Sequence, residues 1–159
     1  MDETAKSVRI IDRIGSVADI GDTAGRPGLL SPLVLAYIGD TVYDLFVRTY
    51  LISTTTHTAH GLHVKAAGYV CAAAQARAYH AIADKLTEDE TAVFKRGRNM
   101  HSATVPKNAD VGDYRTATGL EALFGYLYLS GEDERLTQLM AMIFESANEG
   151  KAENNDSLR

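Results

Sequence analysis

Asp40 and Glu121 are acids set where acids are scarce. Asp40 lies in Leu35-Ala36-Tyr37-Ile38-Gly39-Asp40-Thr41-Val42-Tyr43-Asp44, and Glu121 in Leu120-Glu121-Ala122-Leu123-Phe124-Gly125-Tyr126. An unpaired carboxylate among apolar neighbours is costly, so each must meet a cation or a hydrogen-bond donor. Two segments that each bring one acid into an apolar surround suit a hard divalent ion, which prefers oxygen ligands. Arg48 or Arg115 could equally pair with them, and spacing alone leaves that choice open. Gly39 beside Asp40 weakens a helix by about 1 kcal/mol relative to alanine, which points to the close approach of another backbone or a ligand.

The elements that must hold these acids read as helices. Ser31-Pro32 is a helix start, since serine caps free amides and proline suits the first position. Leu33, Val34, Leu35, Tyr37, Ile38, Val42, Leu45 and Phe46 then follow too densely for one stripe, so the first long helix is expected to be mostly buried. A second alanine-rich helix spans about 59–83, with Gly61 and Gly68 as candidate interruptions. Thr87-Glu88-Asp89-Glu90 has the form of a capping box and opens a helix to about Arg96, with Gly97 as its stop. Residues 99–113 read as a loop. The Glu121 helix runs from about Arg115 to Leu129, with Leu120, Leu123, Phe124 and Leu127 on one side. Leu136, Leu139, Met140, Ile143 and Phe144 repeat at three and four residues in a last helix. No segment alternates as a strand does, so the fold class is all-α. The expected organisation is a weakly ordered segment 1–28, a folded body 29–148 and a disordered tail 149–159.

Composition narrows the class. A chain of 159 residues fits one domain with a real core. Its one cysteine, Cys71, cannot form an intrachain disulfide and reads as a packed thiol in Tyr69-Val70-Cys71-Ala72. With no signal-like start and no apolar run long enough for a span, the protein is expected to be cytoplasmic, with no membrane partner.

The net charge is −5, but residues 45–109 carry eight basic and four acidic side chains, while both flanks are acidic. Lys95, Arg96, Arg98 and Lys107 lie in a stretch, 91–109, that holds no acid. Gly97 lets the backbone turn there, and Asn99 and Asn108 add neutral donors, as phosphates and 2′-hydroxyls of an A-form duplex require. A solvated helix end would look the same. His57, His60 and His63 are spaced three apart, but no nearby acid or cysteine completes a zinc site.

Taken in order, these motifs resemble the ribonuclease III catalytic domain: Leu-Ala-Tyr-Ile-Gly-Asp40-Thr-Val-Tyr, then Leu-Glu121-Ala-Leu-Phe-Gly-Tyr-Leu. The closer likeness is to the Mini-ribonuclease III branch, which lacks a double-stranded-RNA-binding domain. Further matches are Lys95-Arg96-Gly97-Arg98-Asn99, Pro106-Lys107-Asn108-Ala109-Asp110 and Tyr114-Arg115, so the likeness covers roughly 30–145. His63 and Lys65 also fall where that branch has a similar pair. Leu33, Ala36 and Thr118 stand where longer members of the family carry acids.

The resemblance implies the dimeric helical fold of the ribonuclease III endonuclease domain. It implies hydrolysis of double-stranded RNA to 5′-phosphate and 3′-hydroxyl ends, with magnesium, or manganese in its place, held by Asp40 and Glu121. It further implies RNA contacts from His63, Lys65, Lys95, Arg96, Arg98, Asn99, Lys107 and Asn108. The implied partners are a second copy of the chain, the double-stranded stalk of precursor 23S ribosomal RNA and a ribosomal protein. Two other classes stay open on the residues alone. A non-catalytic duplex-binding module would hold RNA equally well in chelator, and a helical protein-interaction domain would not bind duplex at low salt.

Overall fold

The computed structural model describes residues 9–16, 26–54, 58–100, 105–108 and 110–156, and the described residues are helical with no strand among them. Helix α1 spans Ile10–Gly15, α2 Pro32–Thr54, α3 Ala59–Val70, α4 Ala72–Ile82, α5 Glu88–Asn99, α6 Val111–Leu129 and α7 Asp133–Asp156.

Side chains cap four of the helix starts, and α6 begins at Val111, within the stretch 99–113 that reads as a loop. Ser31 Oγ accepts from Leu33 N at 3.3 Å ahead of α2, and Thr58 Oγ1 accepts from Gly61 N at 3.2 Å at the start of α3. Thr87 and Glu90 close the capping box of α5, with bonds of 3.2 and 2.9 Å. Asp110 caps α6 by accepting from Asp113 N at 2.9 Å. The turn into α7 satisfies the last carbonyls of α6 through Gly131 N to Tyr128 O (3.0 Å) and Glu132 N to Leu127 O (2.9 Å). That motif needs a left-handed residue, which Gly131 supplies at φ 70°.

The middle of the fold is α6, packed against α2, α4, α5 and α7. Its buried residues, Ala117, Gly119, Leu120, Ala122, Leu123, Phe124, Gly125, Leu127 and Tyr128, face several ways, whereas sequence periodicity gives only one apolar side. Glycines let the neighbours close in on the other sides. A side chain at Gly39 would run into the Glu121 carbonyl, and one at Gly125 into the Leu35 carbonyl, so α2 and α6 cross backbone to backbone. A Cβ on Gly97 would lie 2.7 Å from Ala122 Cβ, and one on Gly119 2.7 Å from the Phe94 ring. Tyr43 meets Phe124 edge-on at 5.4 Å in the core, and Tyr79 stacks on Phe94 at 3.6 Å. Arg135 ties α7 to α5 through Glu90, Nε to Oε1 at 2.7 Å and Nη2 to Oε2 at 2.9 Å.

Several expectations change. Gly97 does not stop α5, which continues to Asn99, because the missing side chain is what lets α5 rest on α6. The alanine-rich helix breaks at Cys71, where extended backbone (φ −66°, ψ 154°) separates α3 from α4, and not at a glycine. That kink turns the thiol outward, so Cys71 is exposed and not packed. Helix α7 continues past Asn148 to Asp156, helped by Lys151, which donates to Tyr69 Oη at 2.8 Å. Helix α2 is buried only on one side. Leu33, Val34, Tyr37, Leu45 and Ile52 are exposed, Tyr37 at 82%. All but Leu33 fall on one helical face with Thr41 and Arg48, since α2 bends its apolar density around two sides and α6 covers just one.

Candidate active site

Backbone packing brings the two acids together. Gly39 sits against the backbone of Glu121, with its missing Cβ 2.6 Å from Glu121 C and 2.7 Å from Gly125 N. Asp40, the next residue on α2, therefore lies at the same crossing as Glu121 on α6. The structure departs from sequence expectation in their burial. Glu121 is half-buried, while Asp40 opens to solvent beside the exposed face of α2.

The electrostatics are those of two acids without a counter-charge. Burial, and then the charge of Asp40, push the Glu121 carboxyl up from its ordinary value to about 7. Partial burial and the nearby Asp44 raise Asp40 as well. Arg48, one candidate partner, is taken by Asp44, with Nε to Oδ2 at 2.6 Å. No ion pair of Arg115 with either acid is seen among the described residues, and its side chain is exposed. Two neighbouring carboxylates, with the charge of Asp40 raising Glu121, form a donor set for a divalent cation. They are two ligands and no more: among the described residues no group of three His, Cys, Asp or Glu side chains is placed to hold a metal. A magnesium ion would complete its shell with water and substrate phosphate.

A third side chain at this crossing escapes sequence reasoning. Gln75 of α4 is 1% exposed, and its amide favours the ionised form of Glu121. Its Nε2 nevertheless makes no hydrogen bond of good geometry among the described residues. The attraction is therefore that of a near neighbour, short of a formed bond. The signal was a single polar residue inside Ala72-Ala73-Ala74-Gln75-Ala76, a run otherwise built to pack.

The candidate RNA contacts fall on three separate places. Lys95, Arg96, Arg98 and Asn99 occupy the last turns of α5, where Arg98 lies 5.7 Å over the Phe94 ring and donates to Asn99 Oδ1 at 3.2 Å. Arg96 reaches the Gly28 carbonyl at 3.4 Å. Lys107 and Asn108 are exposed in a turn before α6. His60, His63 and Lys65 are exposed on α3, which packs on α2 and α4, and His57 lies outside the described residues.

The Ribonuclease III domain family matches residues 33–132, which include both acids and the crossing that joins them. The chain belongs to the ribonuclease III family. Curated relatives place it with the Mini-ribonuclease 3 branch. Mini-ribonuclease 3 of Clostridium tetani is 48% identical over 80% of this chain and 87% of its own length. That of Thermoanaerobacter is 50% identical over 71% and 80%, and that of Staphylococcus aureus 41% identical over 76% and 92%. A crystal structure of a Fusobacterium nucleatum protein superposes with a TM-score of 0.68 at 28% identity, covering 75% of this chain and 95% of that one. Members of this family are RNA endonucleases that generally use a divalent metal. No helix of the described residues is long and apolar enough to cross a membrane.

Proposed function

We propose that this ribonuclease III family protein is a magnesium-dependent endonuclease for double-stranded RNA, acting as a cytoplasmic homodimer with Asp40 and Glu121 as metal ligands. The observation that carries the reading is the crossing of α2 and α6 at Gly39, where two acids from different helices stand together with no basic partner. A bound magnesium or manganese ion supplies an activated water and neutralises charge on the scissile phosphate. Asp40 and Glu121 hold that ion, and Gly39 keeps their helices at ligand-sharing distance. Lys95, Arg96, Arg98, Asn99, Lys107 and Asn108 bind phosphates and 2′-hydroxyls on one side, with His63 and Lys65 contacting the duplex from α3.

A duplex has near two-fold symmetry, and a two-fold dimer places one site on each strand. The exposed stripe of Val34, Tyr37, Leu45 and Ile52 supports α2 as the face that meets the second copy. Asp40 borders that stripe, so the metal site would lie at the dimer seam. By family likeness the substrate is the double-stranded stalk of precursor 23S ribosomal RNA, the ends are 5′-phosphate and 3′-hydroxyl, and a ribosomal protein assists.

The test is cleavage of an end-labelled RNA duplex with magnesium or with chelator, by wild type and Asp40→Asn. Magnesium-dependent cuts on both strands, absent in a variant that still binds duplex, are expected. Binding without cleavage by the wild type would replace the nuclease with a non-catalytic duplex-binding module.

A further inference from the structure

Besides Asp40, Glu121 has one polar neighbour with an unclaimed donor, Gln75. Gln75 projects from α4, which packs along α6, into a place where it is 1% exposed. A primary amide so deeply buried is expensive to leave unpaired, yet its Nε2 has no hydrogen bond of good geometry among the described residues. Among the described residues, other side chains that could orient the Glu121 carboxylate are committed or lack a polar atom. Thr118, one turn earlier on α6, turns its Oγ1 back onto the Tyr114 carbonyl at 3.0 Å. Ala36, buried on the α2 side, has no polar side-chain atom. Arg48 is held by Asp44. An amide facing a carboxylate presents its NH2 as donor, because an ionised carboxylate can only accept.

We propose that Gln75 is a positioning residue for the metal site, its Nε2 donating to one Glu121 oxygen so that the other is presented to the metal. The inference rests on the metal-binding reading above and deepens it. A carboxylate with two ligands' worth of oxygens but no orienting partner can turn away from an ion it shares with only one other side chain. A fixed donor removes that freedom, as outer hydrogen bonds do for other metal ligands. The unpaired state of Nε2 fits this role, since the buried donor gains the acceptor it lacks.

The experiment compares wild type, Gln75→Met, Gln75→Leu and Asp40→Asn as full-length proteins. Mn2+ binding is followed by the electron-paramagnetic-resonance signal of the free ion. The magnesium needed for half-maximal cleavage, the KM for duplex RNA and the Tm in chelator are measured beside it. Gln75→Met is expected to weaken Mn2+ binding and raise the magnesium requirement about tenfold, in the range seen when outer partners of metal ligands are removed. KM for RNA stays unchanged, and Tm in chelator is unchanged or higher, because the substitution removes an unpaired buried amide. Wild-type Mn2+ affinity in Gln75→Met and Gln75→Leu, alongside its loss in Asp40→Asn, overturns the inference and leaves the metal site standing. A fall in Tm that tracks the loss of Mn2+ in both Gln75 variants makes the residue a packing element and overturns it too. Wild-type Mn2+ binding by Asp40→Asn removes the metal site and the inference together.

Discussion

Glutamine at Glu121 should abolish cleavage and, in the same stroke, stabilise the metal-free protein at neutral pH and above. The argument runs from the raised pKa. An unfolded glutamate titrates near 4.5, while burial and Asp40 hold this one at about 7 in the folded chain. Between those values the folded state keeps a proton that the unfolded state has released, so ionisation progressively favours unfolding as pH rises. The penalty is absent below the unfolded value and complete above about pH 7. At about 1.4 kcal/mol per pKa unit the gap corresponds to roughly 3 kcal/mol, and to about 2 kcal/mol after allowance for the side chain's partial exposure. Glutamine has nearly the same shape and no charge, so Glu121→Gln should gain most of that amount. For a chain of this size the gain is on the order of 5 °C in Tm. Thermal unfolding in chelator, at pH 5 and at pH 8, is the assay. The variant should exceed wild type at pH 8 and approach it at pH 5, and magnesium should raise the Tm of wild type alone. A variant that loses stability at both pH values, or gains equally at both, would refute the charge argument.

Glu90→Ala should destabilise by about 3 kcal/mol, since it removes the acceptor of the Thr87 N–H in the capping box and leaves the Arg135 guanidinium partly buried without its partner; urea unfolding measures this. Burial alone would raise the Glu90 carboxyl, but Arg135 and Thr87 bring it below its ordinary value, so its stabilisation holds above that value and fades as pH falls through the lowered one. Gly125→Ala should give little or no soluble folded protein by circular dichroism, because its methyl group would collide with the Leu35 carbonyl. Neutralising Lys95 and Arg96 together should weaken duplex binding and lower the salt dependence, log K against log salt, by about one to two, read by filter binding across salt. Tyr37→Glu, at an 82% exposed position, should leave the fold intact and yield a monomer by sedimentation.

Most helices, and the starts at Ser31 and Thr87, were legible because capping is local: each side chain sits two or three residues from the amide it satisfies. The start of α6 was not, because Asp110 caps it inside a polar stretch that reads as loop. Asp40 and Glu121 were legible as a pair through their apolar surrounds, and the role of Gly39 through its cost to a helix. What sequence missed depends on partners far along the chain. Gly97 looks like a stop until Ala122 and Gly119 are seen against it. The apolar crowding of α2 cannot say which side α6 covers, so its exposed stripe read as core. Cys71 sits in an apolar run, but a single extended residue there reverses which way the thiol faces. Gln75 drew no reading from the sequence, because Glu121 is brought near it only by the packing of α4 on α6.

The contact of Gly39 with the Glu121 backbone makes the spacing of the two acids a property of main chains, with no dependence on how the intervening polypeptide travels. Between those two residues the chain runs through α3, α4 and α5, and the backbone atoms that meet at the crossing all belong to α2 and α6. Insertions in the connections between those helices should therefore leave Asp40 and Glu121 in register.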